Sequence, residues 1–243
     1  MGKDMQSVPV WDRSVRLFHW INVLCFLVLV ALGTALLNAK ALGVPSEGKI
    51  LLKQWHVWAG YVLLANLSWR ILWGFIGSPT SRWKNILPFT RGFVTQLKAD
   101  IAARRIGKPP VYAGHNPLAR LMVTALFGLL IVQVSSGLIL AATDLYQGPL
   151  GGWVASSVAA EGVDPGSLKP YDKTGVDADS YDAMRALRGP VIETHEWIFF
   201  ILLGLVGVHI AAVVLAEIKE GGGLVSAMIS GKKALSEEPV DKF

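Results

Sequence analysis

Four stretches of this chain, at about residues 15–37, 53–75, 117–141 and 190–215, are long and apolar enough to cross a bilayer. A hydrocarbon core about 30 Å thick takes about 20 helical residues. Inside lipid a segment must satisfy its own backbone hydrogen bonds, and with one apolar run per crossing that means helix. The expected fold is an all-α membrane protein, a four-transmembrane-helix bundle forming a single domain over residues 1–243. Composition agrees, with 52% hydrophobic residues and only 17% charged, against about 25% charged in an average soluble domain. The first stretch follows Arg13 and Arg16 as a signal peptide would. It runs past 20 residues, however, with no small-residue cleavage pattern before Asn38, so it is expected to be a retained helix.

Orientation follows from Lys and Arg, which accumulate in cytoplasmic segments next to the membrane. Residues 77–116 carry Arg82, Lys84, Arg91, Lys98, Arg104, Arg105 and Lys108 against Asp100 alone. Residues 143–189 instead carry Asp144, Glu161, Asp164, Asp172, Asp177, Asp179 and Asp182 against Lys169, Lys173, Arg185 and Arg188. Both termini and the 77–116 loop are therefore expected in the cytoplasm, and the long acidic 143–189 loop in the periplasm. The net charge of +5 then belongs to an inner surface facing anionic lipid, and no nucleic acid is needed to explain it.

Within the basic loop, Phe93, Val94, Leu97 and Ile101 recur at helical spacing, which suits a helix in the headgroup plane. Asn116-Pro117 reads as a cap and first helical residue of the third crossing. The Gly-, Pro- and Asp-rich outer loop either caps the outer face or meets a partner. After the fourth crossing Gly221-Gly222-Gly223 should break the helix, Leu224–Ile229 should return to the membrane surface, and the final residues are expected to be disordered.

Titratable rings in hydrocarbon are costly and mark function by default. His195 and His209 lie fourteen residues apart in one apolar crossing. On a helix that is about 21 Å, returning to within about 40° of one face. With the expected topology His19 and His209 share the inner depth, and His56 and His195 the outer. Two facing imidazoles at each of two depths suit low-spin b haem, whose iron takes one axial nitrogen above and one below. Zinc would want three or four ligands at one point, and a proton relay would want acids between the layers. A single such histidine is as well read as a hydrogen-bonded core group; four that pair by depth favour iron. Gly33, Ala59, Gly60, Gly128, Gly137, Gly204 and Gly207 suit a wedged macrocycle, and equally any tight membrane helix pair. The single Cys25 excludes disulfides, and no Cys-x-x-Cys-His is present for covalent c-type haem. His115, in a loop, suits helix entry or a propionate contact and not iron. Arg13, Arg16, Arg70 and Arg120 lie near inner helix ends, where haem propionates or lipid phosphates would meet them.

Val10-Trp11-Asp12-Arg13-Ser14-Val15-Arg16-Leu17-Phe18-His19-Trp20, Trp55-His56, Trp69-Arg70-Ile71-Leu72-Trp73, Gly114-His115-Asn116-Pro117 and the His195/His209 spacing resemble the bacterial cytochrome b561 / NiFe-hydrogenase b-type cytochrome family. The membrane subunit of formate dehydrogenases is a more distant likeness. The resemblance covers nearly the whole chain. It implies a four-helix cytochrome b in the bacterial cytoplasmic membrane, with His19, His56, His195 and His209 as iron ligands. It also implies electron transfer between a periplasmic redox protein, either a hydrogenase or a c-type cytochrome, and the quinone pool. Members hold one haem or two, and four histidines favour two. The outer loop is longer and more acidic than in the hydrogenase subunits, which leaves the partner open. A self-sufficient membrane oxidoreductase acting on a small diffusible species, and a haem-free anchor, are the alternatives to an electron-transfer subunit.

Overall fold

A computed structural model describes residues 6–221 and 223–241. In chain order the elements are β1 (Gln6–Pro9), α1 (Arg13–Leu37), α2 (Ser46–Ile76), α3 (Trp83–Ile86), α4 (Phe93–Arg105), α5 (Pro117–Leu145), α6 (Gly151–Val158), α7 (Ala178–Glu220), α8 (Leu224–Ser230) and β2 (Lys232–Leu235). Four of them, α1, α2, α5 and α7, have the length and apolarity to span a membrane. In α1 and α7 only 6% of the most apolar stretch is fully buried within the protein, so much of their apolar surface is available to lipid.

Two helices begin earlier than hydropathy predicts. The α2 helix starts at Ser46, with the Lys49 amide bonded to the Pro45 carbonyl at 2.9 Å and Glu47 in its first turn, where an acid suits the helix dipole. Polarity at Glu47 and Lys49 marks the edge of the apolar run without ending the helix. The α7 helix starts at Ala178, well before the expected start at Pro190, which lies inside it. A proline inside a helix removes one backbone bond. Here the added turns are capped by Asp177, which accepts the Ser180 amide at 2.9 Å. They are also anchored by Met184, buried with Ala142, Val154, Ala155, Val158 and Leu168. The segment expected as one long loop, 143–189, is thus largely folded as the end of α5, the helix α6 and the start of α7. Several of its acids are structural: Asp164 accepts the Gly166 amide at 3.1 Å, and Asp144 is buried in an ionic cluster.

The chain divides into two compact units, and each of the four long helices contributes to both. The first unit comprises Met1–Asn22, Ala65–Gly128 and Leu203–Phe243. Its core joins Val10, Trp11, Val15, Ala113, Ala227 and Leu235. Asp12 organises it, accepting the Val15 amide at 2.8 Å, the Trp73 indole at 3.0 Å and the Ser78 hydroxyl at 2.6 Å. Burial pushes the Asp12 carboxyl up, and these donors outweigh that and leave it below its ordinary value. As expected, Asn116 caps α5 through the Ala119 amide at 2.8 Å. The predicted helix of the basic loop is α4. Its Phe93 and Asp100 are buried and Val94 is exposed, so one face packs on protein, where Asp100 pairs with Arg104 at 2.8 Å.

The C-terminal segment departs from expectation. Of the apolar residues of α8, Val225 and Ile229 are exposed, while Ala227 is buried in the core. β2 pairs antiparallel with β1, Gln6 opposite Leu235 and Pro9 opposite Lys232. The Asp241 carboxylate accepts the Ala113 and Gly114 amides at 2.6 and 2.8 Å, and Lys233 Nζ donates to the carbonyls of Tyr112, Ala113 and Gly114. Expected disorder is therefore replaced by order as far as Asp241, because backbone groups 120 positions away supply the partners. Residues 242 and 243 lie outside the described residues.

The second unit comprises Val23–Leu64 and Leu129–Leu202. Beside the α6 cluster it holds a reciprocal amide pair, Gln54 with Gln147 at 2.7 and 2.8 Å, and the cluster around Asp144.

Candidate haem-ligand site

In the second unit His56 on α2 and His195 on α7 face each other with ring centroids 6.3 Å apart and planes at 70°. A first-row metal holds an imidazole nitrogen at about 2.0–2.1 Å and the ring centre lies about 1 Å farther, so two axial rings sit with centroids about 6 Å apart. The observed spacing fits iron between them. Small residues back both rings: a Cβ added to Gly33 would lie 3.5 Å from His56 Cε1, and one added to Gly137 would lie 3.3 Å from His195 Cε1. Of the other glycines noted in sequence, Gly60, Gly128, Gly204 and Gly207 would meet nothing within 4 Å.

His195 is oriented by α5. Ser136 Oγ donates to the Val132 and Gln133 carbonyls at 2.9 and 3.0 Å and lies 2.8 Å from His195 Nδ1. With its own proton committed to the helix, the hydroxyl accepts Nδ1–H, which leaves Nε2 with a lone pair. The Gln133 amide nitrogen lies 3.1 Å from that Nε2. His56 Nδ1 is buried with no hydrogen-bond partner among the described residues, and so is His19 Nδ1 in the first unit. Orphaned imidazole nitrogens in apolar surroundings are a donor set suited to a metal.

In the first unit His19 on α1 and His209 on α7 lie near enough to interact electrostatically, and the Trp20 ring meets His19 edge-on at 5.3 Å. His115 packs on Trp11 with centroids 4.8 Å apart. Burial, followed by the charges of Lys233, Arg70, Arg120 and His209, pushes its pKa down to about 3, so the ring is neutral.

The four arginines differ. Arg13 is exposed. Arg16 donates Nη1 to the Ile229 carbonyl while its buried Nε has no partner. Arg70 is 4% exposed; its guanidinium lies 4.8 Å from the Trp83 ring and 5.6 Å from Phe127, Nη2 donates to the Ser81 carbonyl at 3.0 Å, and Nη1 has no partner. Arg120 commits its fork to the Ile86 and Leu87 carbonyls and the Thr90 hydroxyl, and its guanidinium lies over Phe93. It clasps the 86–93 segment to α5.

Sequence reading missed Ser136 and Gln133, although Gly137, which it did single out, adjoins Ser136. It also missed the roles of Lys53, Asp144 and Arg188. Asp144 accepts from Lys53 and from both Arg188 Nε and Nη2, the last at 2.8 Å. Lys53 also donates to the Tyr171 hydroxyl. The signal was helical phase: Lys53 is three residues from His56, and Arg188 seven from His195.

The family model for prokaryotic cytochrome b561 matches residues 10–231. The chain belongs to this family. As a prokaryotic cytochrome b561 with four spanning helices it is a multi-pass bacterial membrane protein of electron transport, and its cofactor is haem b. It is 27% identical to a "Probable Ni/Fe-hydrogenase B-type cytochrome subunit" of Rhizobium leguminosarum bv. viciae, over 96% of this chain and 92% of the relative. A protein of Cupriavidus necator with the same description is 26% identical over 97% of this chain and 91% of its own length. A "Probable Ni/Fe-hydrogenase 1 B-type cytochrome subunit" of Escherichia coli K12 is 30% identical over 51% of this chain and 55% of the relative. No solved structure matches the chain.

Proposed function

We propose that this cytochrome b561 is a di-haem relay that carries electrons between a periplasmic hydrogenase and the quinone pool. The observation that carries the reading is the facing of His56 on α2 and His195 on α7 at 6.3 Å, with a second histidine pair, His19 on α1 and His209 on α7, in the first unit. The names borne by the Rhizobium and Cupriavidus relatives favour a nickel–iron hydrogenase as the donor. The haems supply one-electron chemistry when bound. His56 and His195 would hold one, and His19 and His209 the other, so the chain would relay electrons and leave the bond chemistry to its partner. Ser136 fixes the tautomer and orientation of His195. Val154, Val158, Leu168 and Met184 form a buried apolar cluster in the second unit. By the distribution of Lys and Arg, the 77–116 segment faces the cytoplasm and the 146–177 segment the periplasm.

The test is to purify the chain with its hydrogenase, assay haem as the pyridine haemochrome, and supply hydrogen with a soluble quinone. About two haems per chain and hydrogen-dependent quinone reduction are expected. One haem per chain overturns the di-haem reading, and hydrogen oxidation that never reaches quinone overturns the relay.

A further inference from the structure

The second unit contains an ionic cluster whose charges do not balance. Asp144, 8% exposed at the end of α5, is paired with Lys53 of α2 and with Arg188 and Arg185 of α7, the last at 3.9 Å. Among the described residues it is the one carboxylate paired with these three cations, a surplus of two positive charges, of which that of Arg185, its side chain 41% exposed, is partly screened by solvent. Lys53 and Arg188 are themselves mostly buried, their side chains 18% and 11% exposed. Unpaired buried cations are costly, and such sites are stable when anions complete them. Tyr171, a non-glycine residue at φ 63°, adds its hydroxyl to Lys53 and its ring to the ammonium at 4.9 Å. A strained backbone at a polar cluster is a common mark of a functional site.

Helical phase relates this cluster to the histidines. Lys53 precedes His56 by three residues, about 4.5 Å along α2. Arg188 precedes His195 by seven residues, about 10.5 Å along α7 and within about 20° of the same face. On α5, Asp144 follows Gly137, which backs the His195 ring, by the same seven residues. Arg188 therefore stands on the α7 face that carries His195, about two turns nearer the helix start, Lys53 stands within about 60° of His56 and about one turn nearer the start of α2, and the charge of Lys53 reaches the His56 ring.

We propose that Lys53, Arg185 and Arg188 form the cradle for the two propionates of the haem held by His56 and His195, with Asp144 as the positioning residue that holds Lys53 and Arg188 in place. This rests on the haem assignment above. Two carboxylates on one edge of the macrocycle match the surplus of two charges, and Arg188 and Lys53 retain donors beyond those given to Asp144. The cluster then acts on the iron twice, by fixing the macrocycle and by its net charge, since cations near the iron favour the reduced form.

The experiment uses the full chain in detergent, with wild type, Arg188→Met, Lys53→Met, Asp144→Asn and the charge-conserving Lys53→Arg. The readouts are the reduction potentials of both spectral components and the infrared redox-difference spectrum of protein loaded with haem carrying carbon-13 in its propionate carboxylates. Loss of a cation should disfavour reduction of the outer component about tenfold, or about 59 mV for one electron, and Asp144→Asn should shift it the opposite way. The inner component should stay put, and Lys53→Arg should lie near wild type. The labelled carboxylate bands should move in Arg188→Met and Lys53→Met. Potentials that move while the labelled bands do not would mean that the cations act at a distance, and the cradle is refuted; unchanged potentials refute it as well. If Asp144→Asn fails to accumulate, the two Met variants decide alone. A wild-type chain that binds no haem refutes the relay itself, an outcome separate from all of these.

Discussion

Ser136 Oγ lies 2.8 Å from His195 Nδ1, one residue before the glycine that backs the same imidazole. Two adjacent positions of α5 thus set the orientation and the room of His195, the proposed iron ligand. Ser136→Ala removes the acceptor and strands a buried N–H, a loss of about 1–3 kcal/mol. Haem transfer from the purified variant to an apoprotein trap should then be about 10- to 100-fold faster for the outer component. Unchanged release would make the hydroxyl a bystander.

The histidine pairing makes a spectroscopic prediction. His56→Ala and His195→Ala should abolish the same component of the reduced-minus-oxidised spectrum, and His19→Ala and His209→Ala should abolish the other. If His19→Ala and His56→Ala delete the same component, the pairing is wrong.

Gly74 is a packing prediction. A Cβ there would lie 2.1 Å from the Trp83 indole nitrogen, which donates to the Ile71 carbonyl at 2.9 Å, and the Trp83 ring stacks under Arg70. Gly74→Ala must therefore displace a tryptophan that anchors the 77–92 segment. The expected cost is about 1–3 kcal/mol by overpacking, read as a lower midpoint of chemical unfolding in detergent. A midpoint equal to wild type would show that the indole moves freely.

His115 predicts an acid-sensitive stability. Its folded pKa is about 3 against an ordinary value of 6.5. Between those values the unfolded chain binds a proton that the folded chain does not, so stability rises with pH across that window and falls as the solution is acidified. At pH 5 the loss is about 2 kcal/mol, at 1.36 kcal/mol for each unit below the unfolded value. His115→Phe keeps an aromatic surface for Trp11 and should unfold with a flatter pH profile between 7 and 5. Parallel profiles would contradict this.

Helix positions were legible because apolar runs are a property of contiguous residues. Val15–Leu37 announces a span, and His195 with His209 share a face on any helix that carries both. The Asp144 cluster was not legible, since its partners Lys53 and Arg188 lie 91 and 44 positions away and no local pattern links them. For the same reason the acids at 144, 164 and 177 read as one charged loop, whereas the fold uses one in an ionic lock and two as turn and helix caps. The start of α7 was hidden by Pro190, a locally valid stop signal that tertiary packing around Met184 overrides.

The ribbon of β1 and β2 joins Gln6 to Leu235, and its consequence concerns time. Strand β1 emerges from the ribosome before any crossing is made, and must wait unpaired until all four helices are inserted and β2 follows. A contact of such sequence separation forms late. A chain whose fourth crossing stalls cannot close the ribbon, so its N-terminal segment stays open to proteases. The pairing of four residues on each strand is therefore among the last contacts a nascent chain can make.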